Sequence, residues 1–188
     1  GAMTNIATAM RRSPEFAERA HIVFMGGALA VPGNVNACVE ANISQDPEAA
    51  DIMVRQGHDV TMVGLDVTLQ TLLTYKETRK WREYGTPTGQ LLADATDYYI
   101  KAYEATAPDL GGCGLHDPLA VGVAIDPTLV TLLPVNLKVD VEGPTRGRTI
   151  GDETRMGKST TTRVAVAVDA PRFLTEFMTR VGKVAAGL

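Results

Sequence analysis

Cysteine is nearly missing from this chain: Cys38 and Cys113 are the only two. They lie far apart, with no Cys or His partner at zinc-ligand spacing, which excludes a disulfide framework and a structural zinc site. An excess of positive charge is missing as well. Eighteen Lys and Arg stand against 22 Asp and Glu, a formal net charge of -4, and the basic residues are scattered, so no nucleic-acid partner is expected. Long apolar runs are absent. The longest, such as 129–135, fall far short of the roughly 20 residues that span a bilayer, and the first residues lack the apolar core of a secretory signal. A cytoplasmic protein with no membrane partner is the expectation. Three nucleotide and hydrolase signatures are also missing: G-x-G-x-x-G after a strand, G-x-x-x-x-G-K-[ST] and G-x-S-x-G. Gly157-Lys158-Ser159 lacks the upstream glycine of the second.

What is present reads as one α/β domain over residues 1–188, with 45% hydrophobic and 21% charged residues. Ile6, Met10 and Phe16 suggest a helix over 4–19 despite Pro14. The run 21–25, HIVFM, is stopped by Gly26-Gly27 and predicts a strand buried on both faces. A loop of about 20 residues follows, where about 4 to 6 are usual. Asp46-Pro47-Glu48 then opens a helix: Asp accepts backbone N–H bonds, Pro suits the first helical position, and Glu suits the positive end of the dipole. Gly57 ends it, and 59–65, DVTMVGL, predicts a second strand. Strand, loop, helix, strand is the arrangement of a parallel sheet with crossovers. Further helices are expected over 69–84, 88–106, 116–126 and 171–184, and strands over 129–141 and 162–169.

In open α/β sheets ligands bind beyond the carboxyl ends of the strands, which singles out two loops. The first carries Asn34, Asn36, Glu40 and Asn42. A carboxylate accepts from two hydroxyls and a carboxamide both donates and accepts, which is the inventory for holding a sugar-like polyol. The competing reading is that these residues merely turn the loop, since Asn tolerates unusual backbone and bonds its own chain. The second loop delivers His116-Asp117 after the glycine-rich 111–114. Asp117 can be another helix cap like Asp46, or can offer a hard cation an oxygen while His116 donates a proton. Asp66 reads as a cap for a helix from Thr68, and His21 and His58 as surface or packing residues.

Taken together the motifs resemble the inosine-uridine preferring nucleoside hydrolase family, in its C-terminal part. Thr4-Asn5-Ile6-Ala7 is similar to that family's L-T-N-[IL]-A, Met25-Gly26-Gly27 to its M-G-G turn, and Gly33-Asn34, Glu40-Ala41-Asn42 and Asp46-Pro47-Glu48-Ala49-Ala50 to its G-N, E-F-N and D-P-E-A-A series. Leu65-Asp66-Val67-Thr68, His116-Asp117-Pro118-Leu119-Ala120 and Thr145-Arg146-Gly147 resemble three later signatures in the same order.

The resemblance implies an open, mostly parallel Rossmann-like sheet flanked by helices, and calcium-dependent hydrolysis of the N-glycosidic bond of purine or pyrimidine ribonucleosides, as in nucleoside salvage. By matching position it implies that Asn34, Glu40 and Asn42 hold the ribose hydroxyls with Met25 as a neighbouring contact, that Asp117 ligates calcium, and that His116 assists the departing base. Tyr98, Tyr99 and Tyr103 lie where the family carries residues that touch the base, or else pack inward as helix neighbours. The family's leading D-x-D-P-G-x-D-D cluster is not found here, and Ala41 replaces the aromatic of E-F-N. The expectation is therefore an N-terminally truncated hydrolase with an incomplete calcium site, negligible turnover on its own, and an exposed sheet edge that favours a homo-oligomer. The alternative is an inactive remnant that only binds ribose weakly or self-associates. In the first case the two loops must meet in space.

Overall fold

The computed structural model describes residues 1–188. The chain forms two compact units, Gly1–Val67 with Ala120–Val168, and Thr68–Leu119 with Asp169–Leu188.

The first unit is built on a four-stranded sheet. Its strands are β1 (His21–Met25) and β2 (Asp59–Val63), followed later in the chain by strands of both units: β3 (Leu72–Leu73), β4 (Cys113–Gly114), β5 (Val130–Pro134), β6 (Leu137–Val139), β7 (Thr149–Gly151) and β8 (Thr162–Val168). The sheet order is β1-β2-β8-β5. β1 runs parallel to β2 with His21 opposite Asp59 and Met25 opposite Val63, and β2 runs parallel to β8. β5 is antiparallel to β8 and bulges between Thr131 and Leu132. The mostly parallel α/β sheet expected from the sequence is thus the one observed.

Local chemistry explains the crossover from β1 to β2. The helix Pro47–Gln56 starts where Asp46 accepts the Ala49 N–H at 3.0 Å, with Pro47 in the first turn; such a cap contributes about 1 kcal/mol. Ala49, Ala50, Met53 and Val54 point into a core shared with Phe24, Ile43, Val60, Met62 and Val164. Burying each of the larger side chains stabilises the unit by roughly 1.5–3 kcal/mol. The antiparallel ribbon of β6 and β7 supplies Leu137 and Val139 to the same core.

Several boundaries differ from expectation, each for a visible reason. Ser13 accepts the Phe16 N–H and starts a new helix, Pro14–Arg19, so residues 4–19 form two helices, the first being Thr4–Arg12. β2 stops at Val63, because Leu65–Thr68 turns into a short helix. The expected strand 129–141 is broken into β5 and β6, and the long loop after β1 contains the helix Ala41–Gln45.

In the second unit the helices Tyr75–Glu83, Pro87–Thr106 and Ala170–Ala185 pack around Trp81, whose ring lies 6.3 Å from that of Phe177. Thr74 and Glu77 form a reciprocal cap at the first of these helices. Thr86 caps the second and also donates to the Ala185 carbonyl at the end of the third. The two-residue ribbon of β3 and β4, Leu73 opposite Cys113, leads into the helix His116–Ile125. No helix is long and apolar enough to cross a membrane.

Candidate active site

The polar loop of the first unit folds back on the end of β1. Glu40 caps the helix Ala41–Gln45 and is almost wholly buried, 2% exposed. Its Oε1 accepts the Asn42 N–H at 2.9 Å, and its Oε2 accepts the N–H groups of Gly27 at 2.9 Å and Ile43 at 3.1 Å. Asn34 Oδ1 accepts the Ala41 N–H at 2.9 Å. Asn42 Nδ2 donates to the Met25 carbonyl at 3.3 Å and meets Met25 Sδ at 3.2 Å. Met25, Asn34, Glu40 and Asn42 therefore form one connected patch. Asn36 instead folds onto its own loop, accepting from the Cys38 N–H.

These bonds show that the loop-building role of Asn34 and Glu40 is real. It leaves capacity for a ligand all the same. Each carboxylate oxygen accepts about two hydrogen bonds, so Oε1 of Glu40 keeps one place, the amide nitrogen of Asn34 keeps its donors, and Asn42, whose nitrogen is spent on Met25, keeps its Oδ1 as an acceptor. Asn34 is exposed and Asn42 half-buried.

The turn beneath this patch is held from elsewhere. Asp66 sits inside the short helix Leu65–Thr68, and its two oxygens accept the N–H groups of Leu29 at 2.9 Å and Ala30 at 2.8 Å. The expected role of Asp66 as a cap for a helix from Thr68 is thereby corrected: the short helix ends at Thr68, the next begins only at Tyr75, and the carboxylate reaches across to the loop after β1. Thr149 accepts the Ala28 N–H and donates to the Ala28 carbonyl. Neither contact carries a local sequence signal, since the partners stand 36 or more residues apart.

The second unit holds the histidine. His116 Nδ1 lies 2.7 Å from Thr68 Oγ1, and Nε2 lies 2.6 Å from the phenol oxygen of Tyr103. The ring stacks on Tyr103 with an interplanar angle of 29°, and a Cβ at Gly114 would fall 2.6 Å from Nε2, so only glycine fits there. Burial pushes the Tyr103 phenol above its ordinary value, and the neighbouring Tyr99 hydroxyl adds to the effect. Tyr99 meets Tyr103 edge-on at 5.1 Å, whereas Tyr98 is 80% exposed and touches neither ring. A cavity of about 290 Å³ beside His116 is lined by Leu73, Thr96, Tyr99, Cys113 and Phe177. Thr68, which reads in the sequence only as a helix start and as part of Leu65-Asp66-Val67-Thr68, is placed against His116 by the fold.

Asp117 occupies the first turn of the helix His116–Ile125 and is exposed. The chain holds no group of three or more His, Cys, Asp or Glu side chains able to share a metal ion. Calcium takes six to eight oxygens, so one carboxylate in this setting does not fit a calcium site by itself.

The comparisons with known proteins decide the family. A profile described as inosine-uridine preferring nucleoside hydrolase matches residues 1–175. The chain belongs to the inosine-uridine preferring nucleoside hydrolase family. Among solved structures, a purine-preferring ribonucleoside hydrolase from Gardnerella vaginalis is 65% identical with a TM-score of 0.96, covering 100% of this chain and 60% of that one. A probable uridine nucleosidase 2 of Arabidopsis thaliana is 38% identical over 96% of this chain and 58% of its own length. An inosine-uridine preferring nucleoside hydrolase of Leishmania major is 38% identical over 92% of this chain and 55% of its own. The chain thus spans somewhat more than half the length of these nucleoside hydrolases. Their names differ in the base they specify, so membership of the nucleoside hydrolase family does not carry a base preference with it.

Proposed function

We propose that this chain is the ribose-gripping and base-releasing portion of a cytoplasmic enzyme that hydrolyses the N-glycosidic bond of ribonucleosides, purine ribonucleosides foremost. The observation that carries the reading is the connected patch of Met25, Asn34, Glu40 and Asn42, in which a buried carboxylate is aligned by three backbone N–H groups. The 65% identity to a purine-preferring relative supports the choice of base.

In the reaction the bond from C1′ to the base nitrogen breaks, water supplies the new oxygen on C1′, and the base leaves with a proton. Positive charge develops on the sugar as the bond lengthens. Glu40 and the amide groups of Asn34 and Asn42 hold the ribose hydroxyls, and a carboxylate held in place before the reaction stabilises that charge without reorganising. His116, coupled to Tyr103, supplies the proton that eases departure of the base, an effect of typically 10²–10⁴-fold. Calcium, when bound in the family, orients hydroxyls and acidifies water; Asp117 is this chain's one contribution to its shell, and no step here is routed through it. Self-association into a homo-oligomer also belongs to this reading.

The test is release of free base from inosine, guanosine and uridine, with calcium supplied, by the chain alone and by the chain completed with the remaining length of its family. Turnover only by the completed protein, with purine nucleosides favoured, is expected. No turnover by the completed protein would reject the reading in favour of an inactive sugar-binding remnant. Light scattering that finds a monomer would reject the oligomer.

A further inference from the structure

We infer that Asp66 is a positioning residue for the ribose grip, acting through the backbone turn 27–30 with Thr149 as its companion; the inference rests on the ribose-binding role proposed for Glu40. Consecutive N–H groups after a glycine-rich strand end commonly form a concavity open to an anion. In this turn all four are already taken by side chains. Gly27 donates to Glu40, Ala28 to Thr149, and Leu29 and Ala30 to the two oxygens of Asp66, all at 2.8–3.0 Å. The three acceptor residues are 7% exposed or less.

The arrangement has a direction. Gly27 adopts φ +81°, and a Cβ on it would stand 2.7 Å from Met62 Sδ and 2.9 Å from Thr149 Oγ1, so the turn packs closely at this point and only glycine fits. Its N–H aims at Oε2 of Glu40 only while the following residues keep their course. Asp66 sets that course by gripping two successive N–H groups with one carboxylate, and the Leu65 N–H bonded to the Gly27 carbonyl at 2.9 Å ties the same helix to the start of the turn. Asp66 therefore orients the carboxylate that meets the ribose while having no need to touch the sugar.

Asp66→Asn tests this. An amide offers one acceptor oxygen and turns a donor toward the second N–H. In the 188-residue chain, hydrogen exchange of the Gly27, Leu29 and Ala30 amides is expected to accelerate about tenfold or more, with the β2 amides Val60–Val63 unchanged, and the Kd for ribose or inosine by calorimetry to rise about tenfold. Exchange at Leu29 and Ala30 that stays at the unsubstituted level, or ribose affinity that survives their release, overturns the assignment alone. If the unsubstituted chain shows no saturable ribose or inosine binding, the ribose grip falls and this assignment with it. Should Asp66→Asn also lose protection in β2, Thr149→Val decides: faster exchange at Ala28 with weakened ribose binding supports the assignment, and unchanged binding despite faster exchange overturns it.

Discussion

The phenol oxygen of Tyr103 stands 2.6 Å from Nε2 of His116, while Thr68 holds the opposite nitrogen of the same ring at 2.7 Å. Two neutral hydroxyls thus pin an imidazole that Gly114 lets settle against the backbone. The ring is fixed in orientation by contacts within the chain itself.

Replacing Tyr103 by Phe keeps the stacked ring and removes only the hydroxyl. The Nε2 resonance of His116 in nitrogen-15 spectra is expected to shift, and base release by the completed enzyme to fall roughly 10- to 100-fold in kcat with little change in KM. An unmoved His116 resonance would show that the phenol does not engage it.

Glu40→Gln leaves a single acceptor oxygen to serve three buried N–H groups. One of those groups goes unpaired, at a cost of about 1–3 kcal/mol. Urea denaturation should register that loss, and calorimetry should show ribose binding abolished. A stable variant that still binds ribose would return Glu40 to the status of a helix cap.

Acid should weaken the first unit through Asp152. Its side chain is fully buried, contacted by Arg155 at 2.7 Å and Arg55 at 3.3 Å. Burial works to raise the pKa of its carboxyl group, but bonds from Thr154 and Arg155 outweigh it and hold the group below its ordinary value of 3.8. A lowered value in the folded state means the stabilisation is complete above that ordinary value and is lost as pH falls through the folded one. Asp152→Asn is expected to cost about 3 kcal/mol at neutral pH and to flatten this acid dependence, read from urea midpoints at pH 7 and pH 3.

The two thiols should separate cleanly. Burial pushes Cys113 up to about 11, and it is 1% exposed, whereas Cys38 is half-buried on the polar loop. With a disulfide reagent at about pH 8, one thiol per chain should react quickly, because the thiolate is the attacking species. Cys38→Ser should leave none reactive until denaturant is added.

Local patterning made much of this molecule legible in advance. The run 21–25 became β1 to the residue, since an apolar, branched stretch stopped by two glycines has few other places to go. Asp46-Pro47 began its helix as its chemistry required, and His116-Asp117-Pro118 began another. The loop carrying Asn34, Glu40 and Asn42 was also visible, through polar residues crowded into a segment too long for a mere connection, whereas Met25, an apolar strand end, was pointed to only by the family resemblance.

Asp66, Thr68 and Thr149 were not legible in that way. Each looks locally like a cap or a strand residue, and each acquires its role from a partner at least 36 positions away. Periodicity and capping preferences act within a few residues, so they determine which segments become strands and helices and which side chains can bond. Which buried N–H meets which distant oxygen depends on the crossover and the ribbon of β6 and β7 being packed in place. Only folding brings Asp66 and Thr149 to the turn after β1, because the desolvated amides there must find acceptors wherever the packed chain provides them.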